Sequence, residues 1–176
     1  MNQRTVMFAW LASAILLAIF AGTPWSSVVL SPEAGGQLIE VTGYMAFPVA
    51  SALILLQGSA ILASFFTPVQ VGKALAGGVA MVMIWHFITV SMTLGPSIGS
   101  SIEENIEAAT GVSGAIAQQD LVASASESVL WAPYLLAVLI NILILATKAL
   151  MRLQASPSKV QTEPVQVGVD LWDAQK

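Results

Sequence analysis

The sequence predicts an all-α membrane protein: a four-transmembrane-helix bundle with a small extracytoplasmic cap made of a short β-hairpin and an amphipathic helix. Three observations carry this expectation. Of 176 residues, 56% are hydrophobic and only 9% are charged, against about 25% charged in an ordinary soluble domain. The charges fall in blocks, leaving uncharged stretches of 28 residues after Arg4, 32 after Glu40, 29 after Lys73 and 20 after Glu127. A helix needs about 20 mostly apolar residues to cross a hydrocarbon core of roughly 30 Å, so each stretch holds one span. None of these runs alternates with a period of two, and a helix satisfies its own backbone hydrogen bonds in lipid. A chain this short has too much surface for so few charges to solvate, which excludes a soluble globular protein. Its hydrophobicity excludes a disordered one.

The first span is expected over residues 6–21. It is longer than the apolar core of a secretory signal, typically about 7–15 residues, and Ile19-Phe20-Ala21 is a poor cleavage site, so it reads as retained. Residues 22–46 follow outside. There Val28-Val29-Leu30 and Leu38-Ile39-Glu40-Val41 flank Ser31-Pro32-Glu33-Ala34-Gly35-Gly36, the pattern of a hairpin around a Pro/Gly-rich turn. An isolated hairpin is marginal in water, so it is expected to lean on the second external loop.

The second and third spans are expected over 47–66 and 74–94. The turn between them, 67–73, is short enough to make them antiparallel neighbours. The second external segment, 95–128, is the longest. Ser101 with Glu104 three residues later reads as a capping box, opening a short amphipathic helix with Ile102, Ile106 and Ala109 on one face and Gly111 as its stop. A weaker helical stretch follows around 115–125. The fourth span is expected over 129–150. The membrane domain is thus 1–152, and 153–176, with Pro157 and Pro164 and no helical period, reads as a flexible cytoplasmic tail.

Orientation follows from the basic residues. Arg4, Lys73, Lys148, Arg152, Lys159 and Lys176 all lie before the first span, between the second and third, or after the fourth. The other two loops hold Glu33, Glu40, Glu103, Glu104, Glu107, Asp120 and Glu127 and no Lys or Arg. The positive-inside rule therefore puts both termini in the cytoplasm of a multi-pass plasma (inner) membrane protein. Lys148, Arg152 and Lys159 suit anionic lipid headgroups.

Polar groups inside spans are the default functional candidates. Here they are Ser13, Gln57, His86 and Asn141, one per span. At a rise of 1.5 Å per residue all four lie about 12–18 Å below the outer surface, so they could meet in one midplane layer. Each also has a structural reading. His86, with Thr89 and Thr93 on its face, is either a proton relay or a neutral imidazole bonding a neighbouring helix, and no carboxylate lies within any span to pair with it. Gln57 and Asn141 are either ligand contacts or interhelical glue. Small residues at four-residue spacing, namely Ala14, Ala18 and Gly22, Ser59 with Ala63, and Ala74 with Gly78, permit close helix approach. Trp25 and Trp131 read as outer-mouth residues or interface anchors. Asp170, Trp172 and Asp173 form a patch in the tail that could dock a partner. The cluster Glu103, Glu104 and Glu107 reads as a solvated helix face or an attractor of cations.

The absences are as informative. With no cysteine, no zinc-type histidine pair, no phosphate-cradling glycine loop and no nucleophile elbow, no metal, cofactor or catalytic residue is expected. The basic residues are scattered over the expected cytoplasmic ends, so no nucleic-acid partner is expected. Neither half repeats the other, so the internal symmetry common in transporters is not visible.

At this point the chain resembles the bacterial tryptophan-associated membrane protein family, small four-span proteins encoded beside tryptophan-biosynthesis genes. The resemblance rests on Pro24-Trp25 after the first span, Val41-Thr42-Gly43, Pro48 leading into Ala52-Leu53, Leu130-Trp131-Ala132, and Asp170-Leu171-Trp172-Asp173-Ala174. It departs at Gln175-Lys176, where members of the family continue into an acidic Asp-Pro-Thr end. The resemblance implies a link to tryptophan metabolism, some members being described as tryptophan permeases, and it supplies no catalytic residue. Two functions are therefore carried forward. One is transport of a tryptophan-like ligand, by a homo-oligomer because four spans leave little room for a pathway. The other is a non-transporting accessory or scaffold subunit that binds a membrane-protein partner through its external loops or tail.

Overall fold

Long uncharged runs become long helices. In the computed structural model, which describes residues 3–151, four helices are long and apolar enough to cross a membrane. They are α1 (Gln3–Gly22), α3 (Val49–Phe66), α4 (Val69–Thr110) and α6 (Trp131–Leu150). Between them lie β1 (Pro24–Leu30), β2 (Leu38–Thr42), the single turn α2 (Gly43–Ala46), the short α5 (Ala115–Gln119) and β3 (Val122–Glu127). The helices bury one stripe each. In α1 it is Val6, Met7, Trp10, Ser13, Ala14, Leu17 and Ala21, and in α6 Tyr134, Ala137, Val138, Asn141, Leu145 and Lys148. Steps of three and four residues keep each stripe on one face. The outward faces are strongly apolar, with Phe8, Leu55, Phe66, Met81, Trp85 and Leu143 exposed.

Two local expectations are overturned. Ser101 does not cap a separate helix, because α4 runs unbroken through Pro96 for 42 residues. Pro96 removes one backbone donor, which is not enough to end the helix here, and the Ser101 hydroxyl donates instead to the Met45 carbonyl at 3.2 Å. At 1.5 Å per residue α4 is about 63 Å long, roughly twice a bilayer core, so its last turns extend past the other helices. Gly111 does stop it, with a left-handed φ of 72°. The second correction is at 115–125. Helix persists only to Gln119, and residues from Val122 form a strand instead. Ala favours helix and neither Ala nor Ser favours a strand, so pairing with β1 overrides local preference there.

The hairpin is present, and β3 makes it a three-stranded antiparallel sheet of order β2-β1-β3. Ser31 opens the turn, its Oγ accepting from the Ala34 amide at 3.3 Å. The sheet leans on the extended end of α4. There Val28, Leu30, Ile39 and Ile106 form a second small core with Ile102, Leu121 and Val122 against it.

Trp25 joins sheet to bundle. Its ring lies 5.1 Å from Tyr134 and 6.1 Å from Phe47, centroid to centroid, and its indole N–H donates to the Phe20 carbonyl at 3.0 Å. Room for it comes from Gly43, where a Cβ would sit 2.5 Å from the indole ring. The small residues singled out in the sequence divide. Ala14 is buried, whereas Ser59, Ala74 and Gly78 face outward, and a Cβ on Gly78 would meet nothing within 4 Å. Gly43→Ala is therefore expected to destabilise the fold by about 1–3 kcal/mol through overpacking. Gly78→Ala is expected to be neutral or to stabilise by up to about 1 kcal/mol through helix propensity. Thermal unfolding of the two variants side by side in detergent checks both.

Candidate functional site

Polar residues on the inner stripes of an apolar bundle must find partners there, because burying a polar group without a hydrogen bond costs several kcal/mol. Three of the four sequence candidates do so with each other. The Asn141 amide nitrogen donates to Ser13 Oγ at 2.7 Å and to Gln57 Oε1 at 2.8 Å. Ser13 donates to the Trp10 carbonyl at 2.8 Å, and the Trp10 indole N–H donates to the same Gln57 oxygen at 3.1 Å. The Gln57 amide nitrogen reaches Met83 Sδ of α4 at 3.5 Å, a weak acceptor. Gln57 and Asn141 are wholly buried and Ser13 is 4% exposed. The cluster thus ties α1, α3 and α6 directly and touches α4 through a thioether.

His86 stands apart. Its Nε2 lies 2.8 Å from the Tyr134 hydroxyl, and its ring meets Tyr134 and Phe47 edge-on at 6.1 and 6.3 Å. The expected layer with one residue from each helix is therefore corrected: α4 brings Met83 to the cluster, and His86, three residues on, faces the aromatic group beneath the sheet. Thr89 and Thr93 bond backbone carbonyls of their own helix and not the imidazole.

One acceptor in the cluster is unused. Asn141 Oδ1 is buried and has no hydrogen-bond partner. Chemically the cluster can accept one further N–H or O–H. It contains no ionisable group, so it can orient a ligand but cannot itself transfer a proton.

Below it, Lys148 enters the bundle, although the sequence suggested a headgroup contact. Its Nζ donates to Ser64 Oγ at 3.0 Å and lies 4.3 Å above the centre of the Trp10 ring, a cation–π contact. The reason is its position on the buried stripe, seven residues after Asn141. Lys73 donates instead to the Met151 carbonyl at the end of α6.

The two tryptophans expected at the outer mouth differ. Trp25 is 1% exposed and belongs to the core, which corrects the interface reading, since Gly43 opens a place for it inside. Trp131 is half-buried against the same core. Asp170, Trp172 and Asp173 lie outside the described residues, as do Arg152 and Lys159. Around the acidic end of α4, Gln118 donates to the carbonyls of Glu103 and Val112 at 3.0 and 2.7 Å, and no metal-binding cluster forms among the described residues.

Sequence reading missed Trp10, Met83 and Tyr134. The first and last were accessible: Trp10 is three residues before Ser13 and Tyr134 seven before Asn141, so each shares a helix face with a polar candidate. Because the chain has no cysteine, pairing can be tested by introduced thiols. Cysteines at 13 and 141 are expected to form a disulfide on oxidation, and cysteines at 86 and 141 are not. A double-mutant cycle on Gln57→Leu and Asn141→Leu is expected to give a coupling of about 0.6–1.7 kcal/mol, the range for interhelical hydrogen bonds in a bundle.

Comparison with known protein families, curated proteins and solved structures returns no match.

Proposed function

We propose that the chain is a four-span plasma-membrane protein with both termini cytoplasmic and the sheet outside, and that it serves transport of a tryptophan-like ligand through contact with the Ser13–Gln57–Asn141 cluster. Two features support the membrane part. The long helices are apolar outside and carry Gln57 and Asn141 inside, and the basic groups among the described residues, Arg4, Lys73 and Lys148, lie near the helix ends away from the sheet, as the positive-inside rule asks. The ligand part rests on one observation: the buried Asn141 carbonyl oxygen without a partner. An acceptor held at that depth is matched by an indole N–H or an ammonium group. The link to tryptophan comes from the family resemblance. Because the helices close around the cluster, passage calls for several copies acting together or for the helices to part.

The second reading is an accessory subunit without transport. Its support is that the rest of the cluster is already mutually hydrogen-bonded, as interhelical glue would be.

Labelled tryptophan flux into proteoliposomes holding only this protein separates the two. The transport reading expects saturable flux that unlabelled tryptophan competes away. It also expects Asn141→Leu, in protein shown to be folded despite losing the two interhelical bonds of the amide nitrogen, to lower the initial rate by at least about tenfold through loss of the bond to the ligand, and removal of 153–176 to leave it unchanged. No flux above empty vesicles, from protein shown to be folded and inserted, would overturn it in favour of the accessory role.

A further inference from the structure

A groove of about 380 Å3 lies between β2 and the end of α4. Its two walls differ in kind. Gln37, Leu38, Ile39 and Glu40 border it consecutively, and since successive strand side chains point to opposite faces, four in a row can line one groove only along the strand's edge. β2 is the outer strand of the order β2-β1-β3, so no strand covers that edge. The Leu30 amide donates to the Gln37 carbonyl at 2.9 Å, and antiparallel pairs alternate between bonded and non-bonded. Counting on through Val29↔Leu38, Val28↔Ile39 and Ser27↔Glu40, the backbone N–H and C=O of Leu38 and Glu40 point away from β1. None of the described loop or cap hydrogen bonds ends on them.

The facing wall is Asn105, Ala108 and Ala109 of α4, spaced as one helix face. Asn105 is turned back on its own helix, donating to the Ser101 carbonyl at 2.7 Å, and the two alanines leave the groove open. One wall therefore offers backbone donors and acceptors and the other offers room. That combination accepts an extended polypeptide as an added strand, over the four residues of Gln37–Glu40 or about 14 Å.

Charge selects the occupant. Glu40 borders the groove, Glu103, Glu104 and Glu107 lie on the same end of α4, and no Lys or Arg occurs between residues 5 and 72 or between 74 and 147. A second copy would bring the same acids to the same end, and like charges across an interface are unfavourable. We infer that the β2–α4 groove docks an extended basic segment of another polypeptide, which adds beside β2 as a fourth strand. This goes beyond the transport reading and does not depend on it, since flux and docking are measured separately.

The test uses the full chain in phosphatidylcholine nanodiscs, with fluorescent hexapeptides of alternating Lys and Val or of alternating Glu and Val, and empty nanodiscs as control. The Lys peptide is expected to bind at least about tenfold tighter than the Glu peptide, less tightly as salt rises. It is also expected to slow hydrogen exchange at the Leu38 and Glu40 amides. Ala109→Phe, an exposed position whose new ring fills the groove, is expected to weaken binding with the thermal midpoint retained. Leu38→Pro, tolerable on an edge strand, is expected to abolish it by removing an outward donor. Equal or absent binding of the two peptides would overturn the inference. So would protection at β3 in place of β2, or protection at Leu38 and Glu40 that grows with protein concentration without peptide, which would make a second copy the occupant.

Discussion

One side-chain amide, that of Asn141, fixes how three of the four long helices, α1, α3 and α6, face one another. It is wholly buried, and its nitrogen must donate to two oxygens on two other helices, Ser13 on α1 and Gln57 on α3. Leaving such a group unpaired in an apolar surrounding costs several kcal/mol, so the rotation of α1, α3 and α6 about their axes is set together. Other positions follow from that phase. Trp10 turns its N–H to Gln57, and its ring lies beneath the Lys148 ammonium. Tyr134, two turns from Asn141 on the same stripe, meets His86. The outward faces are left mostly to Phe, Leu, Ile and Met, which have no polar atom needing a partner, and the hydroxyls of Ser59, Thr89 and Thr147 there bond carbonyls of their own helices.

A second constraint couples the bundle to the sheet. Trp25 is on the first strand yet packs against Phe47 and Tyr134, and β3 returns the chain to α6 with the Ser128 amide donating to the Trp25 carbonyl at 2.9 Å. Tyr44 adds a hydroxyl donated to the Ala18 carbonyl at 3.0 Å, and burial raises its phenol above the ordinary range, so it stays a neutral donor. The sheet is thus held at both ends, by the aromatic group near α6 and by Ile102 and Ile106 on the long arm of α4. This is how a sheet too small to be stable alone persists.

The polar chemistry is divided between interior and surface. Inside the bundle the described residues offer hydroxyl, amide, indole, imidazole and a single ammonium, but no carboxylate. All the described carboxylates lie on the sheet, its turns and the end of α4. The interior is suited to neutral hydrogen bonding, and the acidic end to electrostatic attraction of a cationic group. The two proposals, a ligand at the interior cluster and a basic segment at the acidic end, therefore rest on different residues.

Number and order of the four long helices, and the approximate bounds of α1, α3 and α6, were legible in the sequence, because hydropathy and charge gaps are one-dimensional properties that tertiary contacts hardly alter; α4 runs 16 residues past the expected end of its span. The hairpin was legible from its turn residues, and the Gly111 stop from the left-handed backbone that glycine permits. The shared depth of Ser13, Gln57 and Asn141 could be counted from helical rise. Which way each side chain faces could not, since a few residues' difference in where a helix begins rotates its whole stripe; so His86 left the layer and Met83 entered it. Ser101 looked like the start of a separate helix by local preference, yet α4 continues through Pro96 because its far end packs under the sheet and Ser101 bonds Met45. The β3 strand, whose alanines and glutamate favour helix, exists through its ladder to β1. Local sequence determined what each segment can be, and tertiary structure decided which of its polar groups meet, because hydrogen bonds between distant segments depend on rotation and register that no single segment encodes.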